Sequence, residues 1–162
     1  MARQVNNPWR RDAAHEAPDH GEDPVPATPV HIVHVTVRPD RIVADVRISS
    51  ERFAMTDPAL IDALLGRFPH LMRHTCVNGK GSTFAAVAHN TSVAHLLEHM
   101  AIEEQVRLSD SVEASFVGKT AWTDRRRLRA RVEVSYANDL VALEALRRAH
   151  ACLNDALLRR IG

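Results

Sequence analysis

Between Asn90 and Leu108 the chain reads as a helix that the rest of the protein must bury. Asn90, Thr91 and Ser92 can each cap its start, and Ser109-Asp110 follows its expected end near Leu108. On a helical wheel the most apolar stripe passes through Val93, Leu96, Leu97, Met100 and Leu108. The stripe bearing His95 and His99 lies nearly opposite, yet it also holds Ile102 and Val106. A helix that is apolar nearly all round belongs inside a protein. Its two imidazoles therefore need partners, because an unsatisfied buried polar group costs about 1–3 kcal/mol.

The flanking sequence supplies layers to bury it. Two β-branched segments with apolar alternation, Val30 to Val37 and Ile42 to Ile48, are separated by Arg38-Pro39-Asp40-Arg41 and read as an antiparallel hairpin. Thr56-Asp57-Pro58 offers a cap followed by proline in the first turn, and Leu60, Ile61, Leu64, Leu65 and Phe68 keep helical spacing up to Pro69. From His70 to His89 the pattern is weaker. Asn78-Gly79-Lys80-Gly81 reads as a turn, and Thr83 to Val87 as a short strand leading into the buried helix. Val112 to Val117 and Leu128 to Tyr136 read as strands, the second presenting Leu128, Ala130, Val132, Val134 and Tyr136 on one face. Asn138 or Asp139 then caps a last helix running to about Arg160. The order predicts an α+β fold, an antiparallel sheet with helices packed on one face.

The buried helix also carries His95-Leu-Leu-Glu98-His99. Histidines at i and i+4 share a helical face and can hold one metal ion between them, with the glutamate beside it. The plain alternative is a packing helix whose two histidines are simply hydrogen-bonded. A catalytic zinc takes three protein ligands and one water, so a third ligand is required. Glu103 is too far: at about 1.5 Å rise per residue, an ion between the histidines lies about 9 Å along the axis from its Cα. Glu103 is better placed to orient a histidine or meet substrate. Glu98, not itself a ligand, would act as general base on a metal-activated water attacking a carbonyl.

The run Val93-Ala-His95-Leu-Leu-Glu98-His99-Met100 resembles the active-site helix of the inverted zincins, the pitrilysin and insulin-degrading-enzyme type of metallopeptidases. The segment from His95 to Gln105, with Phe116-Val-Gly118-Lys119-Thr120 and Val134-Ser-Tyr136, is also similar to the amino-terminal domain of cyanophycin synthetases. Lys119 stands in place of an Arg of that pattern, and Val117 is inserted. The first resemblance implies the α+β layout of one half of such a peptidase and a zinc-dependent hydrolase of peptide or amide bonds. Its third metal ligand would be a glutamate on a later helix, here Glu144. The competing reading of Glu144 is a surface residue paired with Arg147 or Arg148. The second resemblance implies a peptide-like substrate with charged side chains, or a non-catalytic domain that binds peptides or a partner. Lys119 would then hold a substrate carboxylate, or be an ordinary solvated turn residue. Inverted zincins use two halves, so a homodimer or separate partner is expected to supply the second surface. No ligase domain is expected within these residues.

Composition narrows the remaining classes. A chain of 162 residues that is 45% hydrophobic suits one domain, expected over residues 29–162, and no apolar run is long enough to span a membrane. The formal net charge of +1 gives no general reason to bind nucleic acid or an anionic membrane. Arg125-Arg126-Arg127, Arg129 and Arg131 form a local exception, read as a solvated sheet face or as a site for an acidic partner. Residues 1–28, rich in Pro, Asp, Arg and His, read as a mobile tail, and Arg10-Arg11 precedes no hydrophobic segment that would make it an export signal. Cys76 and Cys152 are too few for a disulfide framework, so a reducing cytoplasm is the default. Cys76 near His70 and His74 could mark a thiol nucleophile or metal pair, though a lone cysteine among apolar neighbours is more often packing. Gly118-Lys119-Thr120 lacks the leading glycine of a phosphate loop, since Glu113 stands there.

Overall fold

The computed structural model describes residues 28–109 and 115–160. Four antiparallel strands, β1 (Val30–Val37), β2 (Arg41–Ile48), β3 (Gly118–Asp124) and β4 (Arg129–Ser135), form one sheet in the order β1-β2-β4-β3. Three helices complete the α+β fold: α1 (Pro58–Leu65), α2 (Val93–Leu108) and α3 (Asp139–Arg159). The register places Ile42 opposite Val134, Ala44 opposite Val132 and Val46 opposite Ala130. All six are buried, so this face of the sheet carries the core. The opposite face is polar, with Arg131 Nε 3.0 Å from Asp45 Oδ1 and Arg41 Nη1 3.2 Å from Glu133 Oε2. Arg129 and Arg131 are exposed there, the arrangement expected of a solvated outer face.

Each helix begins where a side chain can accept an orphan N–H. Asp57 accepts from Leu60 N at 2.8 Å with Pro58 next in line, and Asn138 accepts from Val141 N at 3.1 Å. Of the three possible caps for α2, Ser92 takes the position, accepting from His95 N at 3.1 Å. Helix α2 packs against α3, β3 and β4. It is buried from Val93 to Gln105 apart from His95 and Ile102, which are half-buried, so the helix that looked apolar all round is enclosed nearly all round. Among the described residues no helix is long and apolar enough to cross a membrane.

Two local expectations are corrected. The third strand runs Gly118–Asp124 rather than Val112 to Val117; residues 115–117 are not strand, and residues 110–114 lie outside the described residues. Strand β3 lacks apolar alternation because its inward positions, Gly118, Thr120 and Trp122, line a cavity. The stretch from Thr83 to Val87 is a single 3₁₀ turn, Phe84–Ala86, with strand pairing limited to a bridge between Thr75 and Thr83. Phe84 and Ala88, both fully buried, follow helical rather than alternating spacing. The expected tail falls on residues 1–27, outside the described residues, and on Thr28.

Leu97 is fully buried and Val106 is 43% exposed on the same helix. Leu97→Ala should therefore lower unfolding free energy by about 2–5 kcal/mol in a denaturant titration. Val106→Ala should change it by less than about 0.5 kcal/mol. Equal effects would mean that α2 is not enclosed on its Leu97 side.

Candidate functional site

The cap at Ser92 fixes the phase of α2, so His95, Glu98 and His99 emerge on the side facing β3 and the loop after α1. There they meet a cavity of about 780 Å³, also lined by residues 75–77 and 118–122. Inside it His95 Nε2 lies 3.2 Å from His99 Nε2 and 3.4 Å from Cys76 Sγ. The donor atoms of Cys76, His95 and His99 all lie within 4.8 Å of one another, a group that could hold a metal ion. Tetrahedral zinc, with bonds of about 2.0–2.1 Å to nitrogen and about 2.3 Å to sulfur, needs ligand separations of roughly 3.3–3.6 Å. The two shorter contacts are close to that spacing, and a thiolate with two imidazoles is a donor set that suits zinc.

Cys76 reaches the histidines because its loop is tied down. Asn78 Oδ1 accepts from the N–H groups of Lys80 and Gly81, each at 2.8 Å, while Asn78 Nδ2 donates to the carbonyls of Cys76 and Thr83 at 3.2 Å. The Cys76 N–H donates to Ser82 O at 3.1 Å. The imidazoles rest on Phe84, whose ring centroid is 4.4 Å from that of His99 and 5.3 Å from that of His95. Burial holds both histidines below the usual range, and His99, with His95 and His74 beside it, falls to about 3. Both are neutral near pH 7, the state in which an imidazole offers a lone pair.

Glu98 stands beside this group without joining it. Its Oε1 is 4.0 Å from His99 Nε2, and its Oε2 accepts from the Thr120 hydroxyl at 2.6 Å. Gly118 makes room for the carboxylate: a Cβ there would sit 2.4 Å from Glu98 Oε1. Burial raises Glu98 to about 7 despite the Thr120 hydrogen bond. A carboxyl near neutrality can both take and return a proton at physiological pH.

The other expected site residues are placed differently. Glu103 lies one turn beyond His99, with Oε1 accepting from His70 N at 3.1 Å and Oε2 facing His74 Nε2 at 3.4 Å. Glu144 is not gathered with the histidines; its carboxylate accepts from Arg147 Nε and Nη2 at 2.8 Å and from Arg148 Nε at 2.7 Å, which hold it down at about 2. Lys119 is exposed at the rim of the cavity, on the opposite side of the β3 pleat from Gly118 and Thr120. Cys76, weighed beside His70 and His74 and read as packing, lies instead against His95, and Thr120 and Gly118 enter the site without having been singled out for it. The turn at residues 78–81 was the available signal for the first, and the Gly118-Lys119-Thr120 block for the other two.

The backbone of β3 adds a further surface. Ser135 N donates to Val117 O and Val117 N donates to Ser135 Oγ, each at 2.8 Å, so these two backbones face each other. Antiparallel alternation then turns the N–H and C=O of Gly118 and Thr120 away from β4. In the sheet order β3 is an edge, and among the described residues no strand pairs with that side. Backbone donors and acceptors with no strand partner among the described residues therefore border the cavity beside Glu98.

The cyanophycin synthase-like N-terminal domain family matches residues 41–158, from the first residue of β2 almost to the end of α3. No curated protein matches the chain. The matched span holds all of Cys76, His95, Glu98, His99, Gly118 and Thr120 and covers well over half of the sequence. The chain belongs to the cyanophycin synthase-like N-terminal domain family.

Proposed function

We propose that the domain is a zinc-dependent hydrolase of peptide or amide bonds, with Cys76, His95 and His99 as metal ligands and Glu98 as general base. The observation that carries this reading is the convergence of one thiol and two neutral imidazoles, their ligand atoms within 4.8 Å of one another, with a separate carboxyl 4.0 Å from His99. A bound zinc would supply Lewis acidity and lower the pKa of a coordinated water. Glu98 would take a proton at its carboxylate and return it to the leaving amine. Thr120 and Gly118 would fix where that carboxylate stands. The likeness of the α2 sequence to the inverted-zincin helix supports this assignment, with Cys76 in place of a glutamate as third ligand.

An extended peptide could pair with the open edge of β3 and so pass its backbone beside Glu98. Membership of the cyanophycin synthase-like family favours a peptide-like polymer with charged side chains. The family match favours a second reading, a non-catalytic peptide- or partner-binding domain, which the open edge of β3 also suits. It predicts peptide binding of equal strength in wild type and Glu98→Gln, with no fragments released by either.

Protein purified without chelator or a metal-binding tag should contain about one zinc per chain by elemental analysis. Cys76→Ser, His95→Ala and His99→Ala should each lose it, while Glu144→Ala should retain it. Zinc lost on Glu144→Ala and kept on Cys76→Ser would reverse the assignment of the third ligand. Glu98→Gln should keep zinc and lower kcat by about 10²–10⁴-fold in a peptide-cleavage assay.

Displacing Glu98 without removing it should have a related effect. Gly118→Ala pushes a methyl against the carboxylate, and Thr120→Val removes its hydrogen bond. Each should cut kcat by roughly tenfold or more, since catalysis depends on placement within about 1 Å, and zinc content should stay unchanged. Full activity in Gly118→Ala would show that this position of Glu98 is not the working one.

A further inference from the structure

His99 is 2% exposed, and both of its ring nitrogens face other nitrogens. Its Nε2 points to His95, and its Nδ1 lies 3.3 Å from His74 Nδ1. Of two facing Nδ1 atoms, one must carry a proton and the other must not. The far side of His74 decides which. Its Nε2 is 3.4 Å from Glu103 Oε2, a buried oxygen that makes no hydrogen bond of ordinary geometry, while Glu103 Oε1 is anchored by His70 N–H at 3.1 Å. A carboxylate only accepts, so a neutral His74 presents Nε2–H to Glu103 and keeps a bare Nδ1. His99 must then be protonated on Nδ1, and its Nε2 is left with a free lone pair.

We propose that His74 is a positioning residue: held by Glu103, it accepts a hydrogen bond from His99 Nδ1–H and thereby fixes the tautomer that turns the His99 Nε2 lone pair into the cavity. Packing alone does not achieve this, because Phe84 against the ring sets where His99 lies and not which nitrogen bears the proton. Nor does His95 have an equivalent device. Its Nδ1 is 2.9 Å from Thr91 Oγ1, and a hydroxyl both donates and accepts, so Thr91 imposes no tautomer on it. The order carboxylate, histidine, histidine runs from Glu103 one way only. Its use in holding a metal rests on the reading of Cys76, His95 and His99 given above; the tautomer itself does not.

The test uses the whole chain with Zn²⁺ as probe, in competition with a chelator. His74→Leu should weaken zinc binding by about 10–100-fold, the usual effect of removing a partner behind a metal-bound histidine. His74→Asn, whose amide oxygen stands near the position of Nδ1, should recover most of that loss, which a merely structural role for the ring would not allow. Glu103→Ala should weaken zinc binding in the wild-type background and add little to His74→Leu, because both act through one chain of hydrogen bonds. Unchanged affinity in His74→Leu, or losses from the two substitutions that simply add, would overturn the proposal. A second readout needs neither metal nor a folded variant: long-range ¹H–¹⁵N NMR of the metal-free wild type should show His99 as the Nδ1–H tautomer. An Nε2–H His99 would refute the relay. If the wild type binds no zinc, the metal reading fails while this spectrum still decides the relay.

Discussion

Burial of α2 is the constraint on which the rest of the structure depends. The helix is enclosed on nearly every side, yet it carries His95, Glu98, His99, Glu103, Glu104 and Gln105. Every one of them meets at least one partner from elsewhere in the chain, although Glu103 Oε2, Glu104 Oε2 and Gln105 Oε1 make no hydrogen bond. Thr91 and Cys76 meet His95, Thr120 meets Glu98, and His74 meets His99. The His70 N–H meets Glu103, Arg67 donates to Glu104 at 2.9 Å, and Gln105 Nε2 donates to Ser135 O at 3.1 Å. Each buried polar group left alone would cost about 1–3 kcal/mol, and a domain has only about 5–15 kcal/mol of net stability. The loops before α2 and strands β3 and β4 are thus held in place by what α2 requires of them, as well as by apolar packing.

The same helix sets two glutamates to opposite uses. Glu98 meets a single neutral hydroxyl donor, so burial dominates and its carboxyl rises to about 7. Glu103 is also pushed up by burial, but the His74 imidazole and the His70 N–H outweigh it and bring the carboxyl below its ordinary range. Five residues apart, one group is poised to exchange a proton and the other stays an anion that only accepts hydrogen bonds. The surroundings make the difference, since the side chains are identical.

What could be read from the sequence follows what each residue does in the fold. Strands β1, β2 and β4 carry apolar alternation because one of their faces is core, and α1, α2 and α3 each announce a cap with Asp57, Ser92 and Asn138. The His95, Glu98 and His99 triplet is local, so helical spacing alone brings it together. Cys76 is not local. It lies nineteen residues from His95 and arrives through a loop fixed by one asparagine side chain, which no periodicity encodes. Glu144 looked suitable because it is the one glutamate of the last helix, and spacing could not show that Arg147 and Arg148 hold its carboxylate.

Strand β3 was misplaced for a reason that bears on its use. A strand is visible in sequence when alternate side chains enter a core, and those of β3 enter a cavity, where Gly118 must be small and Thr120 must donate. The residues that shape the space around Glu98 are the ones that erase the pattern. Its position at the sheet edge follows from the same economy of side chains: a strand with so little apolar surface contributes little as a central member, since central strands bury both faces or one fully apolar face. At the edge, one side of its backbone has no strand partner among the described residues. The loss of core patterning and the gain of an open, hydrogen-bonding border to the cavity are therefore one structural choice.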